Sequence, residues 1–177
     1  MSIIYISIGC QCSPRIYIKD VLHLSKTQGY NSCPFDLCIT PYTALYECLR
    51  TDFQFFFEDL HLVPGENAAG DRSQCGSGLE NIKNKYGMTF NHESPTHSHL
   101  FHTGTNDDLF YIRDGFLEFK KRYTERIANF HKYIEENDEI ILLHRFHNDI
   151  CIVADLEAIC NILRERYPSK RFTYKQL

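Results

Sequence analysis

The sequence contains no tryptophan, no long apolar run, no cluster of basic residues and no paired C-x-x-C motif. Each absence excludes something. A membrane helix needs roughly 18 or more consecutive apolar residues, and no stretch approaches that length. The N-terminal run Ile3–Ile8 is too short for a signal-peptide core and has no basic segment before it. Lysine and arginine total 19 against 23 acidic residues, for a net charge of −4, and they are scattered. The chain therefore lacks the basic face that a nucleic-acid backbone demands. "GENAAG" and "GSG" have neither the spacing nor the preceding strand of a nucleotide-phosphate loop. There is no internal repeat or low-complexity tract.

What is present is material for a core. Apolar residues make up 43% and aromatics 14%, which places the chain among globular proteins rather than disordered ones. Residues 1–177 are expected to form one domain, large enough to fold without covalent staples. Eight cysteines with no secretion signal read as free thiols in a reducing, intracellular compartment, so a cytoplasmic location is expected.

"IIYISIG" is short, rich in β-branched residues and closed by Gly9, the pattern of a buried strand. Ser13 offers an N-cap hydroxyl and Pro14 suits the first helical position; Ile18, Val21 and Leu22 continue the helix. Thr40-Pro41 repeats the start signal before Tyr42, Leu45, Tyr46 and Leu49. "FQFFFEDLHLV" is dense in phenylalanine and is expected to pack across the core floor. Pro64–Gly78 and "SPTHSHLFHTGTNDD" read as two irregular loops, and "NKYGMTFNHE" as a strand or hairpin. Asp114 is the expected N-cap of the longest helix, with an apolar stripe through Phe116, Phe119, Tyr123, Ile127, Phe130 and Ile134. Lys121, Arg122, Glu125 and Asn129 mark its opposite face. "EIILLHRF", the helix through Leu156, Ile159, Cys160 and Leu163, and "RFTYKQ" complete a parallel β-α-β unit. The fold class expected is α/β: a single compact layer fold with a mainly parallel sheet, flanked by helices and two irregular loops.

In such folds, side chains between a strand's carboxyl end and the next helix line the functional edge. Cys12 directly precedes the expected N-cap, where helix amides and the dipole favour thiolate over thiol and could hold an oxyanion. Cys10, nearer the strand, is expected to turn into the core. Against this, free cysteine is among the most buried residue types and mostly acts as a small apolar filler. A cysteine nucleophile needs an imidazole, and nine histidines compete for that role. His92 follows an apolar run; His97, His99 and His102 lie in a loop; His144 and His147 flank the end of the second strand. Cys10 with Cys12, Cys33 with Cys38, and the three loop histidines are potential metal ligands, but none has zinc-site spacing. No metal and no cofactor is expected.

Several segments together carry a more specific signal. "ISIGCQCSP" places Ser7, Gly9 and Cys12 as Ser-x-Gly-x-x-Cys between a strand and a helix, and "PFDLCITP" supplies Pro34, Phe35 and Asp36. "DFQFFFED", "KYGMTFNHE", "FKKRYTERIANF", "EIILLHRF" and "RYPSKRFT" follow in order. In these segments the chain resembles a family described as papain-like cysteine peptidases, over nearly its whole length. It departs from the family in having Leu37 where the Pro-Phe-Asp-Trp motif has tryptophan, and in its glycine-rich midsection. It also ends as the third strand begins, as if a C-terminal edge strand were absent. The resemblance implies Cys12 as nucleophile, His92 as its imidazole partner and Asp36 as the carboxylate that orients or supports them. Asp36 lies between the two in sequence, unlike the usual papain order, and an Asp after Pro-Phe also suits a turn cap. The implied activity is hydrolysis of peptide or related acyl bonds, with a peptide or acyl substrate and neither nucleic acid nor membrane as partner. A non-catalytic α/β ligand-binding module and a transferase acting on a sugar or acyl group fit the same fold.

Overall fold

β-Branched Ile3, Ile4 and Ile6 make the first strand, β1 (Ile3–Ser7), which becomes buried only at its carboxyl end. In the computed structural model, residues 2–64, 80–95, 97, 100, 107–145 and 155–177 are described. The remaining elements in chain order are α1 (Ser13–Asp20), α2 (Tyr42–Arg50), β2 (His61–Pro64), β3 (Glu80–Lys83), β4 (Thr89–Phe90), α3 (Arg113–Glu136), β5 (Glu139–His144), α4 (Leu156–Arg166) and β6 (Arg171–Gln176). Short 3-10 turns stand at Lys26–Gln28 and Asn91–Glu93.

The described strands form two sheets rather than one. β1, β5 and β6 make a parallel sheet in the order β1-β5-β6, while β2, β3 and β4 make a separate antiparallel sheet. This corrects the expected single layer with one mainly parallel sheet. The reason is local. β3 and β4 are joined across Asn84–Met88, where Asn84 Oδ1 accepts from the Met88 amide and Gly87 takes a φ of +85°, and so short a connection allows only antiparallel pairing. The β-α-β reading holds: β5, α4 and β6 follow one another, and β6 pairs with β5 in parallel from Arg171 to Gln176. α1 packs on β1, and α4 packs on β6 and α2.

Aromatic rings supply the bulk that tryptophan would have given. Phe56 and Phe90 lie 5.6 Å apart, Phe90 and Phe119 4.9 Å, and Phe119 and Tyr123 4.5 Å between ring centroids. These spacings suit edge-to-face and offset packing, and they join the turn at 51–59, β4 and α3 in one core. The phenylalanine-rich stretch thus packs inward through Phe53 and Phe56, as turns followed by β2.

Three helix starts differ from expectation. α1 is capped by Cys12, not Ser13, whose hydroxyl accepts instead from Arg145 Nη1. Pro41 rather than Thr40 precedes α2. Asp114 is not an N-cap: Asp114, Gly115 and Phe116 are all left-handed, with φ between +53° and +65°, and interrupt the first turn of α3. The loop expected from Pro64 begins inside β2 and then runs outside the described residues, as does most of the histidine-rich loop. Among the described residues no helix is long and apolar enough to cross a membrane.

Candidate active site

The site begins where β1 leaves its sheet. Ile8 still donates to Leu143 O, and the chain then turns through Gly9 at φ +93° and Cys10 at φ +73°. Only glycine fits position 9: a Cβ there would lie 2.8 Å from Thr40 Cβ. A left-handed non-glycine residue costs about 1–3 kcal/mol, and Cys10 bears that strain while fully buried. The two residues swing the chain so that Cys12 becomes the N-cap of α1, with its carbonyl accepting from Ile16 N. Cys10 lies in the core, as expected, while Cys12 is half-buried at the N-cap itself rather than open to solvent before it.

The imidazole arrives from the other sheet. Phe90 anchors β4 in the aromatic core, and Ser94 fixes the next turn: its hydroxyl donates to Phe90 O at 2.6 Å and accepts from Ile82 N at 2.8 Å. His92 therefore projects with Nε2 3.1 Å from Cys12 Sγ, within hydrogen-bond reach for nucleophile and base. Its ring packs against His97, centroid to centroid 4.4 Å, and His97 is itself buried.

Asp36 takes a different place. It is wholly buried, and Oδ2 accepts from the Cys33 amide at 3.0 Å and faces Arg15 Nε at 3.4 Å, while Oδ1 has no hydrogen-bond partner among the described residues. Burial pushes its carboxyl up to about 6, against the lowering effect of the Cys33 amide, Arg15 and Arg126. Asp36 thus caps its own turn and braces α1, three residues beyond Cys12, and its hydrogen bonds do not go to His92.

The charge beside the imidazole is one the sequence reading passed over. Glu93, next to His92, is wholly buried, with Arg122 Nε at 2.9 Å, Arg126 Nη2 at 3.3 Å and the Tyr123 hydroxyl donating at 3.0 Å. Burial opposes its ionisation, but Arg126 and Arg122 outweigh it, and the carboxyl is held below its ordinary range. The clue was in the sequence. Arg126 stands three residues after Tyr123 and four before Phe130, on the buried stripe of α3.

Four other described thiols, Cys33, Cys38, Cys48 and Cys160, are poor nucleophiles. Burial pushes Cys38 up to about 12 and Cys160 up to about 11, and raises Cys33 and Cys48 well above the ordinary thiol value. Among the described residues no group of three or more histidine, cysteine, aspartate or glutamate side chains could hold a metal ion. His99, His102, His147, Cys75 and Cys151 lie outside the described residues. His144 is buried at the end of β5. Comparison of the chain with family models, with curated proteins and with solved structures found no match.

Proposed function

We propose that Cys12 and His92 are the nucleophile and general base of a thiol-dependent hydrolase of peptide or related acyl bonds, on a papain-like plan. The observation that carries this reading is the 3.1 Å contact between Sγ and Nε2, made by a half-buried thiol at a helix N-terminus. His92 Nε2 takes the thiol proton and the sulfur attacks the substrate carbonyl carbon. Negative charge develops on the carbonyl oxygen, and the first-turn amides of α1, from Ser13 and Arg15 but not Pro14, are the donors placed to meet it. The imidazolium returns its proton to the departing amine. Water, deprotonated by His92, then cleaves the thioester and restores the thiol. Ionised Glu93 beside His92 favours the imidazolium that forms in both steps. Asp36 acts at one remove, holding α1 through Arg15.

The test is alkylation by iodoacetamide at neutral pH, with peptide mapping across all eight cysteines. Cys12 is expected to label first, and His92→Ala to slow its labelling by about tenfold or more. Even labelling of the eight, or a Cys12 rate unchanged in His92→Ala, would sink the proposal.

A further inference from the structure

A polar cleft opens beside Arg122 and Arg126, the two partners of Glu93. One wall is α3, which presents Arg122, Glu125, Arg126 and Asn129, at the three- and four-residue spacing of one helix face. The other wall is the segment after α1, with Lys26, Asn31 and Ser32. Asn129 Nδ2 ties the walls together by donating to Ser32 O at 3.0 Å. The cleft encloses about 250 Å³, many times the roughly 10–15 Å³ that one water needs.

Its charge and its hydrogen bonding are both incomplete. Lys26, Arg122 and Arg126 line it against Glu125, and Glu93 behind it offsets one of the two guanidinium charges. The bonds to Glu93 occupy Arg122 Nε and Arg126 Nη2. Arg126 is only 4% exposed, yet among the described residues its Nη1 has no hydrogen-bond partner. A buried guanidinium nitrogen without an acceptor is costly, and Arg126 is one of the residues that line a cleft with room for an anion.

We propose that this cleft binds a small oxyanion, a phosphate or carboxylate group, between Lys26 and the Arg122–Arg126 pair. Planar guanidinium forks match the oxygen geometry of either group. The chain as a whole carries −4, so diffuse attraction does not draw anions to it, and saturable binding requires a local site. The proposal stands apart from the thiol chemistry and needs no active Cys12.

Isothermal titration calorimetry on the full chain tests it, with inorganic phosphate and acetate as separate probes and chloride at matched ionic strength as control. Saturable binding of phosphate or acetate, at about 1 mM or tighter, is expected. The tighter of the two names the source of the anion. Exposed Lys26→Ala, which removes no buried contact, is expected to weaken binding about threefold. Arg122→Lys, which keeps charge but loses the fork, is expected to weaken it about tenfold. Cys12→Ser is expected to bind as the parent does. Absence of saturable binding, or parental affinity in both Lys26→Ala and Arg122→Lys, overturns the proposal.

Discussion

Arg126 Nη2 lies 3.3 Å from Glu93 Oε1, and both side chains are shut away from solvent, 4% and 0% exposed. The same guanidinium helps hold Asp36 in its charged form. One arginine thus serves a carboxylate behind α1 and another beside His92. Breaking a buried pair by removing one partner costs about 3–5 kcal/mol, because the other charge is left uncompensated. Arg126→Met is therefore expected to lose about that much in urea unfolding. Adding Glu93→Gln should recover part of the loss. Arg126→Met within 1 kcal/mol of the parent, roughly the value of an exposed pair, would mean the charges are not coupled in this way.

The two carboxylates act on stability with opposite sign. Asp36 titrates at about 6 in the folded chain against 3.8 unfolded, so between those values the folded state binds more protons. Its contribution falls as pH rises from about 4 to about 6 and is level above. Glu93 is held below its ordinary value of 4.5; its contribution is full above that value and is lost as pH falls through the folded value. Unfolding curves of the parent and Asp36→Asn, taken from pH 4 to pH 7, should diverge across that window by up to about 3 kcal/mol. Glu93→Gln should differ from its parent in pH dependence only below about pH 5. A parent–Asn difference that stays constant with pH would show that Asp36 does not titrate there.

Much of the parallel sheet was legible because its parts are long or strongly patterned. "IIYIS" and "EIILLH" are apolar runs, and Leu156, Ile159, Cys160 and Leu163 repeat at helical spacing. The antiparallel sheet was not. Its strand "ENIK" has two polar ends and buries Asn81 beside Ile82, so no alternation marks it. The apolar spacing along α3 points to Ile127, which is only partly buried, while Arg126 turns inward. A buried arginine breaks the apolar pattern, and only its partner Glu93, far along the chain, explains it. Cys12 could be placed from its own neighbours, since a strand end, a glycine and Ser-Pro surround it. His92 could not. Eighty residues separate it from Cys12, and among nine histidines only the resemblance singled it out.

His97 offers a test of how the imidazole is held. Its ring lies against that of His92 at 4.4 Å, limiting rotation of the imidazole facing Cys12. His97→Phe keeps an aromatic ring there and His97→Ala removes it. Cys12 alkylation should slow by several-fold in the alanine variant, since a loosened base loses alignment, and recover most of its rate in the phenylalanine variant. Equal rates in the two would make the packing irrelevant to the thiol.

Gly9 is the position where fold and site depend on one atom. Its φ of +93° disfavours any side chain, and a Cβ would also meet Thr40 Cβ at 2.8 Å and Oγ1 at 2.9 Å. Backbone strain of about 1–3 kcal/mol and overpacking of about 1–3 kcal/mol act together. Gly9→Ala is expected to destabilise the chain by about 2–6 kcal/mol in urea unfolding. Thr40→Ala added to it should rescue little, because the Thr40 Cβ remains and the dihedral strain is untouched. Serine at position 40 should do no better for the same reason. The fraction that folds must shift either β1's end or the turn holding Thr40, and the first of these moves the start of α1. Cys12 alkylation in folded Gly9→Ala should then fall toward the His92→Ala rate, because the sulfur no longer meets Nε2 at hydrogen-bond distance. Parental stability with parental alkylation would mean that the turn accepts a side chain, and that the left-handed bend does not set the thiol's position.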